Sequence, residues 1–196
     1  MIEYIKGEIA ELSPTQLIME CNGIGYELNI SLTTYSAFNG RKEGKIYVYE
    51  VIREDAHLLF GFANREEREL FLLLTSVSGV GPNTARMILS SLPPSELINV
   101  IASGDDVSLT SVKGIGSKTA QRIVVDLRNK VKMADNMGDK SKMTRGARSE
   151  TAEGAVAALI MLGFQKGASQ KAVDSILKSS PAASVEQVIK DALKML

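Results

Sequence analysis

The segment Leu74-Thr75-Ser76-Val77-Ser78-Gly79-Val80-Gly81-Pro82-Asn83-Thr84-Ala85-Arg86-Met87-Ile88 aligns without a gap on Leu109-Thr110-Ser111-Val112-Lys113-Gly114-Ile115-Gly116-Ser117-Lys118-Thr119-Ala120-Gln121-Arg122-Ile123. Such an in-register duplication commits the chain to two copies of one local structure. In each copy a helix ends, a Gly-aliphatic-Gly turn follows, and a new helix starts at Pro82 or Ser117. The glycines permit positive φ and close approach of another molecule, while the aliphatic residue between them tucks into the core. The turn then aims amide N–H groups outward at a helix N-terminus, where the first four donors lack internal partners and the dipole favours an anion.

A phosphate fits that description. The candidate binding residues are Gly79, Val80, Gly81, Pro82, Asn83 and Thr84 in the first copy, with Gly114, Ile115, Gly116, Ser117, Lys118 and Thr119 in the second. Arg122 on the second helix adds a side-chain cation. Contacts of this kind read DNA backbone and carry no base information, so binding is expected to be largely independent of sequence. A single Gly-x-Gly turn is also an ordinary helix cap; the second copy with matching flanks is what points to DNA. Gly116-Ser117-Lys118-Thr119 is not a P-loop, because Lys does not follow Gly directly and the glycine spacing is too short. Neither copy has the third glycine of a dinucleotide fingerprint.

The formal net charge of zero works against nucleic acid until its distribution is considered. Between residues 111 and 132, Lys113, Lys118, Arg122, Arg128, Lys130 and Lys132 face one carboxylate, Asp126. Charge is segregated by region, as one DNA-facing surface requires. Cys21 has no partner for an internal disulfide and is expected to be a buried thiol; His57 is the lone histidine, so no His/Cys metal cluster and no cofactor is expected. No apolar run predicts a membrane span and no leader is evident, so a cytoplasmic protein is expected.

Short runs rich in Ile, Val, Leu, Tyr and Phe predict strands at 5–12, 16–21, 24–30, 45–53 and 57–62, with turns at Ser13-Pro14, Asn22-Gly23 and Asn39-Gly40. Five short strands suggest a small barrel of the OB kind. Glu54 and Asp55 would sit at the tip of its last hairpin. From Asn64, a cap with Glu67 three residues on, the period becomes helical, with helices at 82–91, 95–102, 105–112 and 117–131. Residues 132–149 lose the period and read as a flexible linker. Three helical segments follow, broken at Gly163, Gly167 and Ser179-Ser180-Pro181. The predicted fold class is multidomain α+β: an OB-fold barrel at 1–63, an all-α tandem helix-hairpin-helix domain at 64–132, a linker at 133–149 and a three-helix, UBA-like domain at 150–196. A tail this small is marginal alone and suits docking better than chemistry.

These features together resemble the RuvA family of bacterial Holliday junction branch-migration subunits. The resemblance rests on the barrel with Arg53-Glu54-Asp55-Ala56-His57-Leu58-Leu59-Phe60-Gly61-Phe62 at its last hairpin, the tandem hairpins, the linker and the helical tail, and it spans the chain except the linker. It implies a homotetramer, one or two of which hold a four-way junction open and square-planar in recombination and repair. It also implies the hexameric ATPase RuvB and the resolvase RuvC as partners, with no catalysis by the chain itself. Glu54 and Asp55 match the family's acidic pin. Residues 155–164 match its RuvB-docking helix and turn, which makes Leu159, Leu162 and Phe164 candidate contacts, some of which must instead be core. Asn83 and Ser117 stand where many relatives carry Lys, a change that spares the backbone amides.

Two other readings compete. A helix-hairpin-helix glycosylase or nuclease would need a catalytic Lys and Asp pair or a carboxylate cluster beside the hairpin, and Asp126 has no evident acidic partner. A pure interaction module leaves the duplicated hairpins unexplained.

Overall fold

The computed structural model of the chain describes residues 1–138, 147–181 and 183–196. Strands β1 (Tyr4–Ser13), β2 (Gln16–Cys21) and β3 (Ile24–Ile30) form a meander, and β4 (Glu43–Ile52) and β5 (His57–Phe62) form a hairpin. They close as a barrel in the order β1-β2-β3-β5-β4, with β1 antiparallel to β4 and β3 parallel to β5. Closure removes both sheet edges. Alternate residues turn inward, so Ile5, Leu17, Met19, Leu28, Ile30, Ile46 and Val48 fill the interior. Cys21 is half-buried against this core rather than enclosed by it.

Between β3 and β4 lies helix α1 (Leu32–Phe38), an element that the sequence reading missed. Ser31 caps it by accepting from the Thr34 amide, and buried Phe38 fixes its far end. It touches the helical domain: the Leu32 amide donates to Ser90 Oγ at 3.1 Å, and Thr33 Oγ1 donates to the Leu89 carbonyl at 2.9 Å.

The helical domain holds α2 (Arg65–Thr75), α3 (Pro82–Ser91), α4 (Pro94–Ser103), α5 (Asp106–Thr110) and α6 (Ser117–Gly138). As expected, Asn64 caps α2, accepting from the Glu67 amide at 2.8 Å. The Glu67 side chain does not return to that cap; it runs to Ser31 and Thr34. Barrel and hairpins share one apolar core, because Phe60 and Phe62 at the end of β5 pack on Phe71 of α2 with ring centroids 5.2 and 4.9 Å apart. Arg86 of α3 adds a polar tie, donating from Nη1 to the Thr15 carbonyl at 3.2 Å and to Asn29 Oδ1 at 3.1 Å. Burial pushes its guanidinium pKa down from the usual value.

The linker expected at 133–149 is helical at both ends. Helix α6 runs through Gly138 and α7 begins at Ala147, while residues 139–146 lie outside the described residues. Met133 to Met137 contain neither Gly nor Pro, so a helix already nucleated propagates until the first glycine.

The chain divides into two units, residues 1–137 and 138–196. In the second, α7 (Ala147–Met161), α8 (Lys166–Ser179) and α9 (Val185–Leu193) bury Ala155, Val156, Leu159, Val173, Ile176 and Val188 together. Gly163 ends α7 at φ +97°, and the Phe164 amide closes the turn on the Leu159 carbonyl at 3.1 Å. Gly167 is not a break, since it lies in the first turn of α8. Among the described residues no helix is long and apolar enough to cross a membrane.

Candidate nucleic-acid interface

The duplication seen in the sequence holds bond for bond. In the first copy the Val77 amide donates to Leu74 O at 3.0 Å, Val80 to Val77 O at 3.0 Å, and Ala85 to Gly81 O at 2.9 Å. In the second, Val112 donates to Leu109 O at 3.2 Å, Ile115 to Val112 O at 3.0 Å, and Ala120 to Gly116 O at 3.0 Å. Ser76 and Ser111 hydroxyls each cap the end of the first helix, donating to Leu73 O and Ser108 O at 2.7 Å. The first glycine of each turn is left-handed, Gly79 at φ +93° and Gly114 at φ +90°.

Within each turn the donors are divided. Val80 and Ile115 are buried, as the sequence placed the residue between the glycines, and their amides are spent on Val77 and Val112, so they anchor the turn. Pro82 has no N–H to give. Among the described residues, the amides of Gly79, Gly81, Asn83 and Thr84 make no hydrogen bond within the protein, nor do those of Gly114, Gly116, Ser117, Lys118 and Thr119. Both glycines of each turn are exposed, as are Asn83, Ser117 and Lys118, while Thr84 and Thr119 are half-buried. An ideal Cβ on Gly81 or Gly116 would meet no protein atom within 4 Å. The space in front of each helix start is therefore open to an anion, and its unpaired donors favour one.

The two turns lie side by side. Arg122 of α6 donates from Nη1 to the Ser78 carbonyl at 3.0 Å, beside Gly79. Met87 of α3, its counterpart in the first copy, places its methyl 3.6 Å from the Cβ position of Gly114. Each hairpin thus sends a side chain onto the other's turn. Arg122 of the second copy therefore lies on the first turn, where the chain carries Ser78 and Asn83, while Lys118 is exposed in the first turn of α6. Sequence spacing along one helix could not reveal this crossing, because it depends on how the copies pack. Arg128, another member of the basic run, is occupied elsewhere, donating to the Ala102 carbonyl at 3.1 Å.

The acidic pair lies where the sequence placed it, between β4 and β5. The Arg53 amide donates to Ala56 O at 2.8 Å, closing a tip on which Glu54 and Asp55 are both exposed. Neither carboxylate enters an ion pair among the described residues, so both charges face solvent. In the tail, Leu159 is fully buried and belongs to the three-helix core, so it is withdrawn as a surface contact. Leu162 is exposed, Phe164 packs partly on the core, and the surface beside them carries Ile160 and Met161, which the sequence reading had not singled out. Among the described residues no group of three His, Cys, Asp or Glu side chains is placed to hold a metal, and Asp126 is exposed on α6.

Comparison with known proteins matches the RuvA N terminal domain over residues 1–61, the SAM-like helix-hairpin-helix tandem over 71–129, and the RuvA C-terminal domain over 151–196. Proteins described as Holliday junction branch migration complex subunit RuvA from Parabacteroides distasonis, Bacteroides fragilis and Porphyromonas gingivalis are 70%, 58% and 53% identical to this chain. Each alignment covers 100% of the chain and 100% of the relative.

Proposed function

Since the chain belongs to the RuvA family, we propose that it binds Holliday junctions through its paired hairpin turns and serves a branch-migration complex as the DNA-holding subunit. The observation that carries this reading is the set of unpaired amides at two adjacent, duplicated turns, with Arg122 bonded to the first turn and Lys118 exposed at the start of the helix that follows the second. Main-chain donors reach phosphates and not base edges, so the grip tolerates any sequence while branch migration moves the DNA through it.

The acidic tip has the opposite task. Four copies around a junction would gather Glu54 and Asp55 at the crossing, where carboxylates repel phosphates and favour an open, square-planar arrangement as strands separate. The tail docks the ATPase RuvB through Leu162 and its exposed neighbours Ile160 and Met161, with Phe164 at the edge of that surface. Chemistry and ATP hydrolysis then reside in the partner, and the open junction stays accessible to the resolvase RuvC.

The test is a comparison of the chain's affinity for a synthetic four-way junction and for linear duplex of the same sequence, at two salt concentrations. Tighter binding to the junction, with affinity falling as salt rises, is expected. Equal affinity for the two DNAs would overturn the junction reading.

A further inference from the structure

Among the described residues Glu67 is the only charged side chain that is fully buried. Its carboxylate gathers donors from three places: Ser31 Oγ donates to Oε1, Thr34 Oγ1 donates to Oε2 at 2.6 Å, and the Ala63 amide donates to Oε2 at 3.1 Å. The same groups bind one another, with the Ala63 amide 3.0 Å from Thr34 Oγ1 and the Thr34 amide 3.0 Å from Ser31 Oγ. No Lys or Arg forms an ion pair with it among the described residues. A buried carboxylate without a cation is costlier than an apolar residue of the same size unless directed donors satisfy it. What such a cluster adds over apolar packing is a fixed geometry.

The geometry it fixes lies where the barrel passes into the hairpins. Ser31 and Thr34 begin α1, which bonds α3 of the first hairpin through Leu32 and Thr33. Ala63 links β5 to α2, and α2 leads into the first glycine turn. At the other end of β5 stands the tip with Glu54 and Asp55. A six-residue strand rises about 3.3 Å per residue, so the tip is roughly 20 Å from the joint. An angular play of about 10° there would swing the tip by roughly 3.5 Å, comparable to the 3.4 Å rise per charge along one DNA strand.

We propose that Glu67 is a positioning residue, holding the barrel at a set angle to the hairpins so that the acidic tip meets the crossing while the turns hold the arms. This rests on the junction-binding reading. Linear duplex engages the hairpins alone, whereas at a junction the repulsive tip must stay in the open centre; a tip that swings off it brings its carboxylates against the phosphates of the arms, so loosening the joint should weaken junction binding and spare the duplex.

The experiment uses the full chain with Glu67→Gln, Thr34→Val and Thr34→Ser, measuring affinity for a four-way junction and for matched linear duplex, with thermal unfolding as a check on folding. Gln keeps the volume but turns an amide group toward donors; Val removes the Thr34 hydroxyl and Ser restores it. Glu67→Gln and Thr34→Val are expected to keep duplex affinity and to lose junction-over-duplex preference by roughly three- to tenfold, the scale of one lost buried hydrogen bond. Thr34→Ser is expected to retain the wild-type preference. Should Glu67→Gln fail to fold, Thr34→Val decides. An unchanged preference in the folded variants, an equal fall for both DNAs, or a Thr34→Ser result matching Thr34→Val would overturn the proposal. A wild-type protein with no preference would overturn the junction reading instead.

Discussion

At Gly79 and Gly114 the backbone occupies the left-handed region, where any side chain with a Cβ is strained. Gly81 and Gly116 are different: neither is left-handed, and a Cβ on either would point into open space. The first glycine of each pair shapes the turn, and the second keeps its mouth clear. Changing Gly79 or Gly114 to Ala should therefore lower folding stability by about 1–2 kcal/mol, measured by chemical denaturation, before any effect on DNA is considered. A variant as stable as the parent would show that the turn does not depend on that conformation. Sequence spacing made all four glycines legible but assigned positive φ to the pairs without distinguishing them. It placed Val80 and Ile115 in the core, where they lie, but offered Leu159 as a contact, and that residue is core as well. An apolar residue beside a functional turn has the same letter whether it faces in or out, and only packing decides.

The strands and most helices were legible because apolar residues repeat with the period of each element and Gly, Pro and Asn mark the ends. Helix α1 was not. Seven residues are too few to form a stable helix from local propensity, and two adjacent β-branched threonines weaken the signal further. It exists because Glu67, Ser90 and Leu89 hold its first turn, and those partners are distant in sequence. The parallel pairing of β3 with β5 was hidden for the same reason. The β4–β5 hairpin, by contrast, is local, and its tip was placed correctly. Neutralising that tip with Glu54→Gln and Asp55→Asn should leave junction affinity unchanged or tighter, since a repulsive charge is removed, while altering the rate of RuvB-driven branch migration. Loss of junction binding in a gel-shift assay would contradict the repulsive role.

At the scale of the molecule, two units are built on separate cores. A chain ending after residue 138 keeps the barrel and both hairpins, so it should bind junctions as the parent does and fail to stimulate RuvB. Retained stimulation would remove the docking role from the tail. Everything assigned to the first unit depends on bare main-chain donors at the two turns meeting phosphate. The most direct measurement is the junction affinity of the Gly81→Ala, Gly116→Ala double variant beside the parent, with melting curves for both. The protein itself should lose little at either cap position, under about 1 kcal/mol. The double variant is expected to fold and to bind at least about tenfold more weakly, or 1.4 kcal/mol, whatever the DNA sequence. A folded variant that binds the junction as tightly as the parent would contradict the phosphate-binding role of those turns.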